Sequence, residues 1–149
     1  MQELFLTDLD HTFLRDDLTV SSDTKTIWNS MAKKNIMGIA TARTYKKSEQ
    51  FLRGLHLNAP MILLDGSFIV SAEKKILDMK VISREIGDEI INCSAKLGIY
   101  PFVLALKDEN LNEAFLYPTQ TNRQQSELLT RYKNDDNLEE CSNIKAMDN

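Results

Sequence analysis

The chain has 149 residues, 42% of them apolar and 27% charged, with a net charge of -4. This is enough apolar material for one ordinary core, or for two small lobes sharing a seam, and it excludes disorder as the default. No apolar run approaches the roughly 18 to 20 residues of a membrane span, and no basic stripe marks a nucleic-acid binder. A cytoplasmic protein with neither membrane nor nucleic acid as partner is therefore expected.

Residues 3 to 8, Glu-Leu-Phe-Leu-Thr-Asp, form a short apolar run ending on a carboxylate, the pattern of a buried central strand whose C-terminal tip faces a site. Ser21 and Ser22 can cap a helix with Ile27, Trp28 and Met31 on its apolar face. Lys33 and Lys34 suit its C-terminal dipole, and Asn35 ends it. A second apolar run, Ile36 to Ala40, leads into Thr41-Ala42-Arg43, and Tyr45 to Leu55 predicts a second helix with Phe51, Leu52 and Leu55 inward. A third run, Met61 to Leu64, follows Pro60 and stops at Asp65-Gly66. Three short strands separated by two helical segments predict an α/β fold with a parallel sheet, and such sheets bind ligands beyond the carboxyl ends of their strands. Asp8, Thr41 and Asp65 all occupy such ends.

After Gly66 the rhythm changes. Phe68 to Val70 and Lys75 to Met79 predict a hairpin around Ser71-Ala72-Glu73-Lys74. Ile86, Ile90, Ile91 and Leu97 predict a helix, Tyr100 to Leu106 and Ala114 to Tyr117 two strands, and Leu128, Leu129 and Tyr132 another helical face. The expected organisation is one lobe over residues 1–66 and a second, α+β lobe over residues 67–149. Beyond Lys133 the chain reads Asn-Asp-Asp-Asn-Leu-Glu-Glu, with no further apolar strand expected. Cys93 and Cys141 lie far apart, outside any metal or redox pattern.

The chemistry concentrates in Thr7-Asp8-Leu9-Asp10-His11-Thr12-Phe13-Leu14, where two carboxylates stand two positions apart directly after an apolar strand. Carboxylates at a strand tip repel each other and lose solvation unless a cation or hydrogen-bond donors compensate, which points to Mg²⁺ or phosphate chemistry. A polar turn is the plain alternative, since aspartates favour turns for their own hydrogen bonds.

Asp8-Leu9-Asp10-His11-Thr12-Phe13-Leu14 resembles the DxDGT(L/F)L signature of the haloacid dehalogenase superfamily, with His11 in place of the usual glycine. Ile39-Ala40-Thr41-Ala42-Arg43 and Leu64-Asp65-Gly66 are similar to the ATGR and Asn-Gly motifs of its Cof-type sugar-phosphatase branch, with Ala42 and Asp65 as departures. Gln124 to Asp136 resembles part of that branch's α/β cap, of the IIB type.

The resemblance implies a Rossmann-like three-layer core carrying a cap, and an Mg²⁺-dependent phosphomonoester hydrolase acting on sugar phosphates or other small phosphate esters. Asp8 would attack phosphorus to form an aspartyl phosphate, while Asp10 would protonate the leaving oxygen and later activate water. Mg²⁺ would be held by the Asp8 carboxylate and the Asp10 backbone carbonyl. Thr41 would donate to the phosphoryl oxygens, helped by the Ala42 amide at the start of the following helix, and Thr41 capping that helix is compatible with this role. Arg43 either reaches phosphate or pairs with a nearby acid. Gly66, at the passage from core to cap, completes the binding set.

His11 either touches substrate or is a hydrogen-bonded loop residue, and His56, without a carboxylate or cysteine within sequence reach, is structural. Gly87-Asp88 lies in a helical pattern and is not the superfamily's fourth motif. That motif and the phosphate-steadying lysine do not occur by residue 149, so the chain is expected to stop inside the cap and to leave a sheet edge open to self-association. Two alternatives stay open: a protein phosphatase acting on phosphotyrosine with the same fold, and a catalytically silent binding module.

Overall fold

In the computed structural model, which describes residues 2–142 and 144, the first strands are β1 (Leu4–Thr7), β2 (Ile36–Ile39) and β3 (Met61–Leu63), and β1 and β2 run parallel with Leu4 opposite Ile36 and Thr7 opposite Ile39. A parallel bridge between Ala40 and Ile62 carries the arrangement from β2 to β3, supported by the Thr41 N–H donating to the Ile62 carbonyl at 2.9 Å. β4 (Phe68–Val70) and β5 (Ile76–Met79) form the expected hairpin and continue from β3 in antiparallel order. Compact units divide the chain as Met1–Lys80 and Val81–Asn149, so the hairpin goes with β3 rather than with the residues that follow it.

β1 is not the buried central strand that its apolar run suggests. Leu4 is 59% exposed and Leu6 47%, because among the described residues β1 has one hydrogen-bonded neighbour, β2, and lies at the sheet edge. Its partner β2 is buried over Met37, Gly38 and Ile39. A Cβ at Gly38 would stand 2.9 Å from both Ala59 Cβ and Leu6 Cδ2, so glycine is what lets β1 close on β2 at this level.

Helix α1 (Ser22–Met31) starts where Ser21 Oγ accepts the Thr24 N–H at 3.0 Å. It buries Trp28, whose indole N–H donates to the His56 carbonyl at 2.9 Å. Ile27, expected beside Trp28, is 60% exposed, since consecutive helical residues point about 100° apart. Helix α2 (Tyr45–Leu52) stops before the expected Leu55, with the turn reversing at Gly54 (φ 83°). Asn58 then ties the chain back to β2: its Oδ1 accepts the Met37 N–H at 2.6 Å, and its amide donates to the carbonyls of Ala32 and Asn35 at 3.0 and 2.9 Å. Leu9, Ile39, Leu63 and Val70, all at 0% exposure, form the heart of this unit, each contributing on the order of 1.5–3 kcal/mol by burial.

The second unit contains α3 (Arg84–Lys96), β6 (Val103–Leu106), β7 (Glu113–Pro118), α4 (Arg123–Tyr132) and β8 (Leu138–Cys141). β6 starts three residues later than expected, just past Pro101, which has no N–H to give a ladder. β8 contradicts the expectation of no further strand: its Leu-Glu-Glu-Cys has little strand propensity and pairs in parallel with the edge of β7. Edge-to-face contacts of Phe102, just before β6, with Phe115 and of Phe115 with Tyr132, at 5.4 and 6.0 Å between centroids, join the approach to β6 with β7 and α4. α4 opens with a capping box between Asn122 and Gln125.

Candidate active site

The candidate residues come from the carboxyl ends of β1, β2 and β3. Asp8 follows β1 directly, and the chain then makes one wide turn over Leu9–Phe13, closed by the Leu14 N–H on the Leu9 carbonyl at 2.8 Å. Leu9 and Leu14 are buried on either side of this turn, and Phe13 stacks edge-on against Trp28 at 5.1 Å, which moors the turn to α1. His11 sits at φ 55°, ψ 13°, the left-handed region that glycine enters freely and other residues enter at a cost of about 1 kcal/mol. Its departure from the DxDGT pattern therefore has a backbone consequence.

Asp10 and Arg43, 33 residues apart, meet in a two-pronged ion pair: Arg43 Nε donates to Oδ2 at 2.7 Å and Nη2 to Oδ1 at 2.6 Å. Of the two readings of Arg43, this pairing with an acid is present. The guanidinium holds the Asp10 carboxyl below its ordinary range, chiefly by hydrogen bonding, which outweighs the opposing effect of burial; the charges of Arg43 and His11 add to the lowering by less. The Arg43 Cζ lies 4.9 Å above the ring of Phe51, so the cation stands between a carboxylate and an aromatic face.

The exposed Asp8 carboxylate makes no hydrogen bond or ion pair among the described residues, although the Thr7 hydroxyl donates to the Asp8 carbonyl at 2.9 Å. The two aspartates are thus in different states, one open and the other clamped.

Thr41 is buried at 6% exposure, and its Oγ1 accepts the Arg43 N–H at 3.3 Å. It does not cap the following helix. Thr44 does, accepting the Lys47 N–H at 3.2 Å, and α2 begins only at Tyr45, so the Ala42 amide and Arg43 precede the helix rather than opening it. The loop after β3 joins this group through its backbone, with the Leu64 N–H on the Arg43 carbonyl at 3.3 Å. Leu64, Asp65 and Gly66 have φ of 50°, 55° and 90°. Gly66 answers a conformational need only, since nothing lies within 4 Å of where its Cβ would stand.

Among the described residues no three His, Cys, Asp or Glu side chains gather as a metal cluster. Mg²⁺ does not require one: it commonly takes one or two carboxylates and completes its shell with water and phosphate oxygens. An exposed carboxylate such as Asp8 at a strand tip suits that chemistry. His56 contributes backbone groups, accepting from Trp28 and donating its N–H to Asn29 Oδ1 at 2.7 Å, in keeping with its structural reading. Phe51 is the neighbour of the candidate site that the sequence does not reveal. It reads as one more core residue of α2, and no local pattern signals its stacking on Arg43.

The profile of the haloacid dehalogenase-like hydrolases matches residues 5–148. No protein with a curated description matches the chain. Among solved structures, the chain is similar to a phosphatase of the haloalkanoate (HAD) enzyme superfamily from Bacteroides thetaiotaomicron, with a TM-score of 0.69 and 14% identity over 91% of this chain and 47% of that one. A haloacid dehalogenase-like hydrolase from B. subtilis gives a TM-score of 0.66 and 14% identity over 97% of this chain and 55% of that one. A HAD subclass IIB sugar phosphatase gives 0.62 and 18%, over 95% and 53%. At these identities the likeness is one of fold, and the chain spans about half the length of the structures it matches.

Proposed function

The chain belongs to the haloacid dehalogenase-like hydrolases, and we propose that it supplies the nucleophile half of an Mg²⁺-dependent phosphomonoester hydrolase. The first unit is assigned to the core and the second to part of the cap. The observation that carries this reading is the contrast between the two aspartates: Asp8 open at a strand tip, Asp10 held two residues later by an arginine.

An Asp8 oxygen attacks the phosphorus of the substrate, the bond from phosphorus to the leaving oxygen breaks, and that oxygen takes a proton from Asp10. In the second half, Asp10 accepts a proton from water as the water oxygen attacks phosphorus. The acyl-phosphate bond then breaks, releasing phosphate and the free Asp8 carboxylate. Protonating Asp10 removes the charge that both Arg43 donors bind, so the pair weakens and opens during turnover. Arg43 is assigned to pair with the phosphoryl group at that point, and the Thr41 hydroxyl, at the same strand end, is the further donor assigned to it. Bound at Asp8 and the Asp10 backbone carbonyl, Mg²⁺ would screen the charge between nucleophile and phosphate. Ala42 and Gly66 complete the binding set through their backbone.

The substrate class proposed is small phosphate esters, sugar phosphates among them. Its support is the family and the likeness in fold to a IIB sugar phosphatase. The silent-module reading draws on a different observation: the span of about half of each solved relative, with no cluster of three metal-binding side chains among the described residues. Hydrolysis of p-nitrophenyl phosphate, with and without Mg²⁺, separates the two when measured on this chain, on a longer polypeptide containing it, and on Asp8→Asn in each. Turnover that needs both the metal and Asp8 supports the enzyme, whereas Asp8-independent turnover, or none in any form, removes it.

A further inference from the structure

We infer that Phe51 is a positioning residue whose ring face keeps the Arg43 guanidinium at the end of β2, so that the cation can pass from the Asp10 carboxylate to a phosphoryl oxygen without leaving the site. The inference rests on the phosphatase reading for its second half. The hold of Phe51 on Arg43 stands on geometry alone.

Contacts to side chain and backbone both shape the arrangement. The guanidinium gives two donors to Asp10, its Cζ lies 4.9 Å over the Phe51 ring, and the Arg43 N–H and carbonyl are tied to Thr41 Oγ1 and the Leu64 N–H. The backbone of Arg43 is therefore fixed from both sides. An arginine side chain nevertheless has several rotatable bonds, and once its fork releases a carboxylate a further anchor narrows where the guanidinium goes.

Phe51 has the character of such an anchor. On α2 the buried positions are taken by Tyr45, Ser48 and Leu52, while Phe51 is only half-buried and offers its face to the cation. A ring has no charge to be exchanged for that of phosphate. It attracts the guanidinium whichever oxygen the fork is bound to, and so does not favour the resting pair over the substrate-bound one. A carboxylate in the same place would compete with the phosphoryl group, and an aliphatic side chain would not select the planar orientation.

The test reads Arg43 itself in the ¹⁵N-labelled chain, its Nε–Hε signal assigned by its loss in Arg43→Lys. In the unaltered chain this signal is expected to be displaced by the ring and slow to exchange, and to move while staying sharp as inorganic phosphate is added. Phe51→Leu should remove the displacement, speed the exchange and weaken phosphate binding by about three- to ten-fold. Phe51→Tyr should restore all three. The Trp28 indole signal reports whether the unit remains folded, and Phe51→Met is the second ring-less variant should leucine unfold it. An Arg43 signal indifferent to ring removal, or one that phosphate leaves in place, overturns the inference. The underlying reading fails separately, through hydrolysis that does not depend on Asp8.

Discussion

The two units are built from elements of the same kind and bury them differently. In the first, α1 and α2 bury Trp28, Tyr45, Ser48 and Leu52, and four apolar side chains reach 0% exposure around the strands. In the second, α3 and α4 bury no described residue, and the apolar core is Leu111 with two alanines, Ala105 and Ala114. All four helices carry a side-chain cap, so local signals form helices equally well in both places. Burial is what separates them. The residues with candidate chemistry all lie in the well-packed unit, where two strand ends must hold an aspartate and an arginine within hydrogen-bond length.

If this contrast governs stability, substitutions should rank accordingly. Leu63→Ala, at a fully buried position of β3, is expected to cost about 2–5 kcal/mol, read as a lowered urea midpoint. An effect near zero would remove the distinction between the units. Gly38→Ala places a Cβ 2.9 Å from Ala59 Cβ and Leu6 Cδ2 and should cost about 1–3 kcal/mol by overpacking. Because Leu6 lies two residues before Asp8, the same change should lower Asp8-dependent hydrolysis more than it lowers stability.

The Asp10–Arg43 pair sharpens the comparison through pH. The folded-state pKa of Asp10 is lowered, so its contribution is present above the ordinary aspartate pKa and is lost as pH falls through the folded value. Arg43→Met should therefore flatten the acid limb of the stability curve and leave the neutral region less stable, measured by urea unfolding between pH 3 and 7 at roughly one-unit steps. On the hairpin, Lys74 bonds Glu49 of α2 at 2.8 Å and lies 5.5 Å over the Tyr45 ring. Lys74→Ala should cost only about 0–1 kcal/mol because the lysine is largely exposed. The smallest effect is expected in the second unit: Ile90→Ser, on a helix face already 47% exposed at that residue, should change stability by within about 0.5 kcal/mol.

The first three strands and two helices were legible because short apolar runs alternate with amphipathic stretches, and the aspartates stood out by following such a run. The exposure of β1 was not legible, since Leu-Phe-Leu reads as buried whether one neighbour strand is present or two. Nor was the helix start after β2: Thr41 and Thr44 are both acceptable caps, and the choice is made by Thr41 joining the Ile62 carbonyl and the Arg43 N–H. β8 was hidden because its pairing with β7 supplies what Leu-Glu-Glu-Cys lacks. The clamp on Asp10 links residues 33 apart, and Phe51 joins it through space. Such contacts follow from strand order, which local patterns do not encode.

The register of β1 has a kinetic consequence. Pairing Leu4 with Ile36 closes a loop of 32 residues, an entropic cost of about 3 kcal/mol beyond a constant. The hairpin of β4 and β5 needs only the short turn at Ser71 and Lys75 and belongs to a class that forms in about 1–10 μs. During refolding the hairpin should therefore acquire amide protection early, while Asp8 and Asp10 are carried together to the end of β2, where Arg43 stands, by one of the later pairings of the unit. The candidate site is then a product of folding's closing steps, and its appearance marks their completion.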